Sequence, residues 1–223
     1  MKVSTALKIT CILLLVYVYA AGFLIEVPRR AILNETIRNL FFHVPMWFTM
    51  ITLQAISLYY SIRFLRKKKV EDDIKSYNHV TVSIFFGLLG FVTGMFWAKF
   101  TWGEWVVNDP KIIGSFIALL IYLPFLLLRK FIPEKEQRAV ISAVYNIFAF
   151  TMGFILIFVI PRLTDSLHPG NGGNPGLNMY DVDNTLRMVF YPAVIGWILL
   201  GRWITKLKIG VDYLIAKKNE ELD

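Results

Sequence analysis

Residues 80–97, Val80-Thr81-Val82-Ser83-Ile84-Phe85-Phe86-Gly87-Leu88-Leu89-Gly90-Phe91-Val92-Thr93-Gly94-Met95-Phe96-Trp97, contain no charged side chain. A run of this kind approaches the ~20 residues needed to cross the hydrocarbon core of a bilayer. Hydrocarbon offers no water to backbone N–H and C=O groups, so a spanning segment of this length must satisfy them internally as a helix. Gly90 and Gly94 stand in G-x-x-x-G spacing, which close helix packing explains adequately. Five further runs repeat the pattern, at approximately 6–25, 44–62, 111–128, 139–160 and 187–205. The expected fold is an all-α polytopic membrane protein with six transmembrane helices, forming a single integral membrane domain over residues 1–223.

Composition agrees. The chain is 56% hydrophobic and 18% charged, against about 25% charged in an ordinary soluble domain. A net charge of +8 raises nucleic acid as a partner, but the basic residues flank apolar spans, which is a membrane-topology pattern. Nucleic acid is therefore discounted, and the lipid bilayer is the partner that composition implies. The single cysteine, Cys11, lies inside the first run and excludes an internal disulfide, a cysteine-rich metal site and a C-x-x-C-H haem attachment. That first run is long for a signal-peptide core and lacks a clear small-residue cleavage site, so it reads as a retained anchor.

Orientation follows from the basic residues. One side collects Lys2, Lys8, Arg63, Arg66, Lys67–Lys69, Lys75, Arg129, Lys130, Lys135, Arg138, Arg202, Lys206, Lys208, Lys217 and Lys218. The other has Arg29, Arg30, Arg38, Lys99, Lys111, Arg162 and Arg187. The richer side is expected to be cytoplasmic, with both termini on it. The outer loops are then 26–43, 98–110 and 161–186. The first spaces Ile32, Ile37, Leu40 and Phe41 as a helix lying along the interface would. The third contains Gly170–Gly176, a glycine-rich backbone able to be mobile or to fold over a ligand. On the inner side, Lys67–Lys69 followed by Glu71–Asp73 reads as solvated charge, a topological anchor and nothing more.

The second outer loop is Trp102-Gly103-Glu104-Trp105-Val106-Val107-Asn108-Asp109. Trp47 and Trp97 suit the aromatic belt of a membrane interface. Trp102 and Trp105 suit stacking on a flat apolar ligand equally well, with Gly103 allowing close approach. Asp109 before Pro110 has a strong structural reading as the N-cap of the fourth span. Two of the three histidines share this side. His43 stands at the mouth of the second span, before Val44-Pro45, and His168 lies ahead of the sixth. Any one of them is most simply an interfacial histidine bonded to backbone or headgroup. Two flanking an aromatic platform shift the balance towards ligation, since paired imidazoles can fill both axial positions of a haem. His79 starts the third span on the other side and keeps the simpler reading. Arg29, Arg30, Lys99, Arg162 and Arg187 are the outer cations able to pair with carboxylates. No phosphate-binding loop, nucleophile triad or metalloprotease motif is present, and polar residues within the spans, chiefly Gln54 and Asn146, are too sparse to suggest a solute path. Asn34-Glu35-Thr36 is a weak glycosylation match.

These residues resemble the CcmC family, haem exporter protein C of cytochrome c maturation, within the superfamily that also holds CcmF and CcsA. The family carries W-G-x-W-W-x-W-D on a periplasmic loop between two periplasmic histidines. Trp102, Gly103, Trp105 and Asp109 match, whereas Val106 and Asn108 replace two tryptophans. The family histidines fall on His43, in Phe42-His43-Val44-Pro45, and on His168, in Leu167-His168-Pro169-Gly170. The resemblance covers roughly residues 40 to 205. It implies haem b as the cofactor, His43 and His168 as axial iron ligands, and Trp102, Gly103, Trp105 and Asp109 as the haem platform. It further implies delivery of haem to the chaperone CcmE, with CcmA, CcmB and CcmD as partners in a bacterial inner membrane. The protein itself would not be an enzyme, ATP hydrolysis falling to the ABC-type partner. The alternatives are a CcsA- or CcmF-like haem channel or cytochrome c synthetase component, and a b-type cytochrome membrane anchor.

Overall fold

The computed structural model describes residues 3–28, 33–168 and 182–219. All regular structure in these residues is helical, and six helices are long and apolar enough to cross a membrane. They are α1 (Thr5–Leu24), α2 (His43–Lys67), α3 (Val70–Trp102), α4 (Pro110–Phe131), α5 (Lys135–Leu163) and α6 (Asn184–Lys218). A 3-10 helix, Asn34–Phe41, leads into α2. The chain is a multi-pass membrane protein. Each expected span falls on one of these helices, the first ending one residue beyond α1, while α3 and α6 run well past theirs. At ~1.5 Å per residue α3 is about 50 Å long, so it extends beyond the hydrocarbon.

Small residues set the packing. α2 and α3 are joined by Lys68 and Lys69 alone, Lys68 ending α2 in the left-handed region at φ 53°. A Cβ on Gly90 would come within 3.1 Å of the Trp47 indole, and one on Gly94 within 2.6 Å of His43 Cε1. The glycine stripe on α3 thus receives the side chains of α2, in keeping with the packing reading of its sequence. α6 lies against α2, where a Cβ on Gly201 would meet Thr49 at 2.6 Å. α1 is held on α6, with the Tyr17 hydroxyl donating to the Met188 carbonyl at 3.1 Å.

Towards its outer end α5 changes from α-helix (Lys135–Phe154) to a π-turn (Ile155–Val159) and back (Ile160–Leu163). There Gly114 of α4 faces the Leu156 carbonyl so closely that a Cβ would stand 2.5 Å from its oxygen. This contact fixes the outer end of α5 beside the start of α4.

Two expectations change. The charge after Lys67–Lys69 is not all solvated. Asp72 is fully buried with Arg63 Nε 2.9 Å from its Oδ2, an ion pair without hydrogen-bond alignment. Arg129 reaches Asp73 through both guanidinium nitrogens, at 2.5 and 2.8 Å. A long α3 carries its first turn back over the bundle, and these carboxylates then become tertiary contacts between helices. The first outer loop does form a helix, and its apolar face turns to the bundle. Its Ile37, Leu40 and Phe41 are buried in the bundle, because Arg38 donates to the Gly22 and Ile25 carbonyls at the end of α1 and draws the segment inward. Ile32 lies outside the described residues.

The spans also hold more polar chemistry than Gln54 and Asn146. Asn146 Nδ2 donates to Ser57 and Ser61, both at 2.9 Å, and both serines bond Ser76. This knot ties α2, α3 and α5 together. Breaking a well-buried ion pair by removing one partner typically costs about 3–5 kcal/mol. Asp73→Ala is accordingly expected to lower the thermal unfolding midpoint of the detergent-purified protein clearly, while Lys67→Ala leaves it near wild type. Tryptophan fluorescence during heating would check this, and equal midpoints would refute the structural role of the pair.

Candidate functional site

One end of the bundle gathers the start of α2, the end of α3, the start of α4 and the segment that follows α5. His43 is the first residue of α2, so its ring projects from the helix end into the space left by Gly94. Its Nδ1 lies 2.8 Å from the Gly90 carbonyl oxygen and 3.3 Å from Thr93 Oγ1. A carbonyl can only accept, so Nδ1 carries the proton and Nε2 of the neutral ring is left with its lone pair. The edges of Trp47 and Trp97 close the sides, with ring centroids 6.3 and 5.7 Å away. Trp97 is itself held by its indole N–H to Thr36 Oγ1 at 3.3 Å.

Asp109 organises the other half. Its Oδ1 accepts the Lys111 amide at 2.9 Å and the Ile112 amide at 3.4 Å, capping α4 as the Asp-Pro sequence implies. The same carboxylate binds the segment after α5. Oδ2 accepts Ser166 Oγ at 2.9 Å and the Leu167 amide at 2.7 Å, and Oδ1 lies 3.0 Å from His168 Nδ1. Ser166 Oγ in turn accepts the His168 amide at 3.1 Å. Burial alone would raise the Asp109 carboxyl. The bonds from His168, the Leu167 amide and Ser166, with the His168 charge, outweigh it and hold the group well below the usual carboxylate range.

His168 therefore repeats the arrangement at His43. Its Nδ1 faces an acceptor-only group, and in the neutral ring Nε2 keeps its lone pair. The ring meets Trp102 edge-on at 5.2 Å between centroids.

The Trp102–Asp109 stretch divides. Trp102 and Asp109 contact His168, whereas Trp105 turns to Phe96, centroids 5.1 Å apart, on the exposed surface. Gly103 is the C-cap of α3 at φ +84°, a conformation that favours glycine, with no atom within 4 Å of where a Cβ would stand. Lys99 donates to the Gly103 carbonyl at 2.7 Å. Arg187 has its Nε buried without a hydrogen-bond partner among the described residues. Arg29, Arg30 and the Gly170–Gly176 stretch lie outside the described residues, as do Pro169 and Gly170 of the His168 motif. His79 stands apart. It is buried near the opposite end, with Nδ1 2.7 Å from the Lys75 carbonyl.

Sequence reading did not find the Gly90 carbonyl, Thr93 or Ser166, and it left Trp47 and Trp97 to the interface belt. A backbone acceptor leaves no trace in residue type. The helical register 90–93–94 on α3, opposite 43–47 on α2, was the available signal.

The family model for heme exporter protein C matches residues 1–214 of the chain. Among curated proteins, the cytochrome c biogenesis protein CcsA of Aethionema cordifolium is 29% identical over 116 residues, 52% of this chain and 34% of that protein. CcsA of Pelargonium hortorum is 30% identical over 117 residues, 52% of this chain and 36% of that one. CcsA of Prochlorococcus marinus (strain MIT 9515) is 39% identical over 89 residues, 40% of this chain and 26% of that one. The matched segments thus span about a third of these relatives' length or less.

Two outcomes follow from the geometry. Gly94→Ala should displace the His43 ring while leaving helix content by circular dichroism unchanged, and loss of helix would place the effect in folding instead. Asp109→Asn should lower stability at pH 7 relative to wild type. Because the folded carboxyl sits below its ordinary value of 3.8, that contribution is present above about pH 4 and is lost as pH falls through the folded value. The gap between the two proteins should therefore narrow in acid, as unfolding midpoints measured from pH 7 to pH 3 would read out.

Proposed function

This chain belongs to the heme exporter protein C family, and from that premise we propose that it binds haem b at the outer membrane face between His43 and His168. It then hands the haem to the chaperone CcmE, as a component with CcmA, CcmB and CcmD in a bacterial inner membrane. Its role in haem handling during cytochrome c maturation comes with the family. The ligand pair, the recipient and the partners are the proposal.

The observation that carries the site is the matched pair of Nδ1 contacts, to the Gly90 carbonyl and to the Asp109 carboxylate. Metal-ligating histidines characteristically donate their other ring N–H to a carbonyl or carboxylate, which fixes the tautomer, orients the ring and raises ligand basicity. Both rings meet that condition. Trp102 beside His168, and Trp47 and Trp97 beside His43, supply apolar edges for a flat macrocycle. Arg187, with its unpartnered Nε, is the described cation suited to a propionate. His43 and His168 would hold the iron, and haem would be the group that is passed on. The chain's own contribution is to hold, orient and release it. In this reading the protein is a transfer component, and ATP hydrolysis falls to the ABC-type partner.

The purified protein is expected to show a bis-histidine haem spectrum. His43→Ala and His168→Ala should each cut haem content severalfold, and a wild-type spectrum in the double variant would reject the ligand assignment. Co-expression with the chaperone tests delivery, which predicts a haem-dependent complex. The relatives named CcsA favour one second reading, a channel-like haem path through the membrane, and His79 is the described residue it would use. Under the transfer reading His79→Ala leaves the spectrum unchanged, and a changed spectrum would favour the channel.

A further inference from the structure

At the end of the bundle opposite His43 and His168, α3, α4 and α5 leave a cavity of about 280 Å³ lined by Tyr77, Leu126, Arg129, Lys130 and Arg138. Three of these five residues are cations and none is a carboxylate. Asp73 neutralises Arg129 and fixes its guanidinium, which also lies 4.5 Å over the Tyr77 ring. Arg129 is therefore a rigid wall whose charge is already compensated. Lys130 and Arg138 make no ion pair among the described residues. Glu134, four positions from both Lys130 and Arg138, is turned to the Glu136 amide at the start of α5, and no ion pair joins Glu136 to Arg138 among the described residues. The cavity thus carries two positive charges outside any ion pair among the described residues, on a preformed, partly apolar base.

Its position narrows the ligand. It lies where α4 gives way to α5, at the same end as the Lys67–Lys69 turn, and Leu127 and Phe131 on either side of Arg129 and Lys130 are strongly exposed. Exposed apolar side chains on a spanning helix face acyl chains, and basic residues just beyond them sit at headgroup depth. Basic pockets between membrane helices are places where anionic headgroups bind. We propose that this cavity holds the phosphate of an anionic phospholipid from the surrounding bilayer. Lys130 and Arg138 provide the charge, Tyr77 and Arg129 the fixed wall, and Leu126, Leu127 and Phe131 the contact with the acyl chains.

The test is native mass spectrometry of the full-length protein in detergent, titrated with phosphatidylglycerol or phosphatidylethanolamine. Wild type should hold one phosphatidylglycerol in clear preference to phosphatidylethanolamine. The Lys130→Ala/Arg138→Ala double variant should lose that preference about thirtyfold, with an unchanged unfolding midpoint. A Lys67→Ala/Lys68→Ala control should keep it. Equal binding by wild type and the double variant, or equal loss in the control, would overturn the proposal, because attraction would then be general surface charge. Displacement of the lipid by millimolar inorganic phosphate would also overturn it, assigning the cavity to a soluble phosphate. If an acidic peptide displaces the lipid at lower concentration than phosphatidylglycerol competes, the cavity belongs to a protein partner and the lipid assignment fails.

Discussion

Asp109 makes one carboxylate answer two structural demands. The first turn of α4 has backbone N–H groups with no intrahelical partner, and the segment after α5 has a serine, an amide and an imidazole to anchor. All of them converge on Oδ1 and Oδ2. With the π-turn of α5 already pressed against Gly114, this bond set locks the end of α5 to the start of α4 and brings His168 to the side of the bundle where His43 emerges. A carboxylate serving only as a cap would leave His168 on an unanchored strand of chain. One serving only His168 would leave α4 with an open end.

The same logic separates what sequence could reveal from what it could not. Six long apolar runs announce six helices because the bilayer allows them no other backbone arrangement, and the family motif brings in His43, His168 and Trp102. Capping by Asp109 is readable from Asp-Pro. Its second set of partners is not, since those bonds join residues more than fifty positions apart, and spacing carries no signal for them. The acidic stretch Glu71–Asp73 misleads for a related reason. In one dimension it is a charge run beside lysines. In three dimensions α3 continues unbroken from Val70, and its first turn faces Arg63 and Arg129. The 3-10 helix before α2 reads as an interfacial amphipath because its apolar residues are correctly spaced for one. Only the bonds of Arg38 to the end of α1 show that the apolar face turns inward.

Trp102 and Trp105 show a further limit. Two indoles three positions apart look like one platform, but the chain leaves the helical path at Gly103. Beyond that left-handed residue the direction of the next side chains is set by the turn and not by α3. Trp102, still on the helix, points to His168. Trp105, past the turn, points to Phe96 and the surface.

The two-residue link at Lys68–Lys69 has a consequence for assembly. α2 and α3 form a single helical hairpin that contains His43, its acceptor Gly90, Thr93, Gly94, Trp47 and Trp97. The hydrogen bonds and aromatic contacts of that imidazole are all made within this one hairpin. The environment of His168 needs α4 and α5 to be in place as well. During synthesis the His43 half can therefore be complete while the later helices are still being inserted, and the His168 half arrives last, closing the site only once the whole bundle exists.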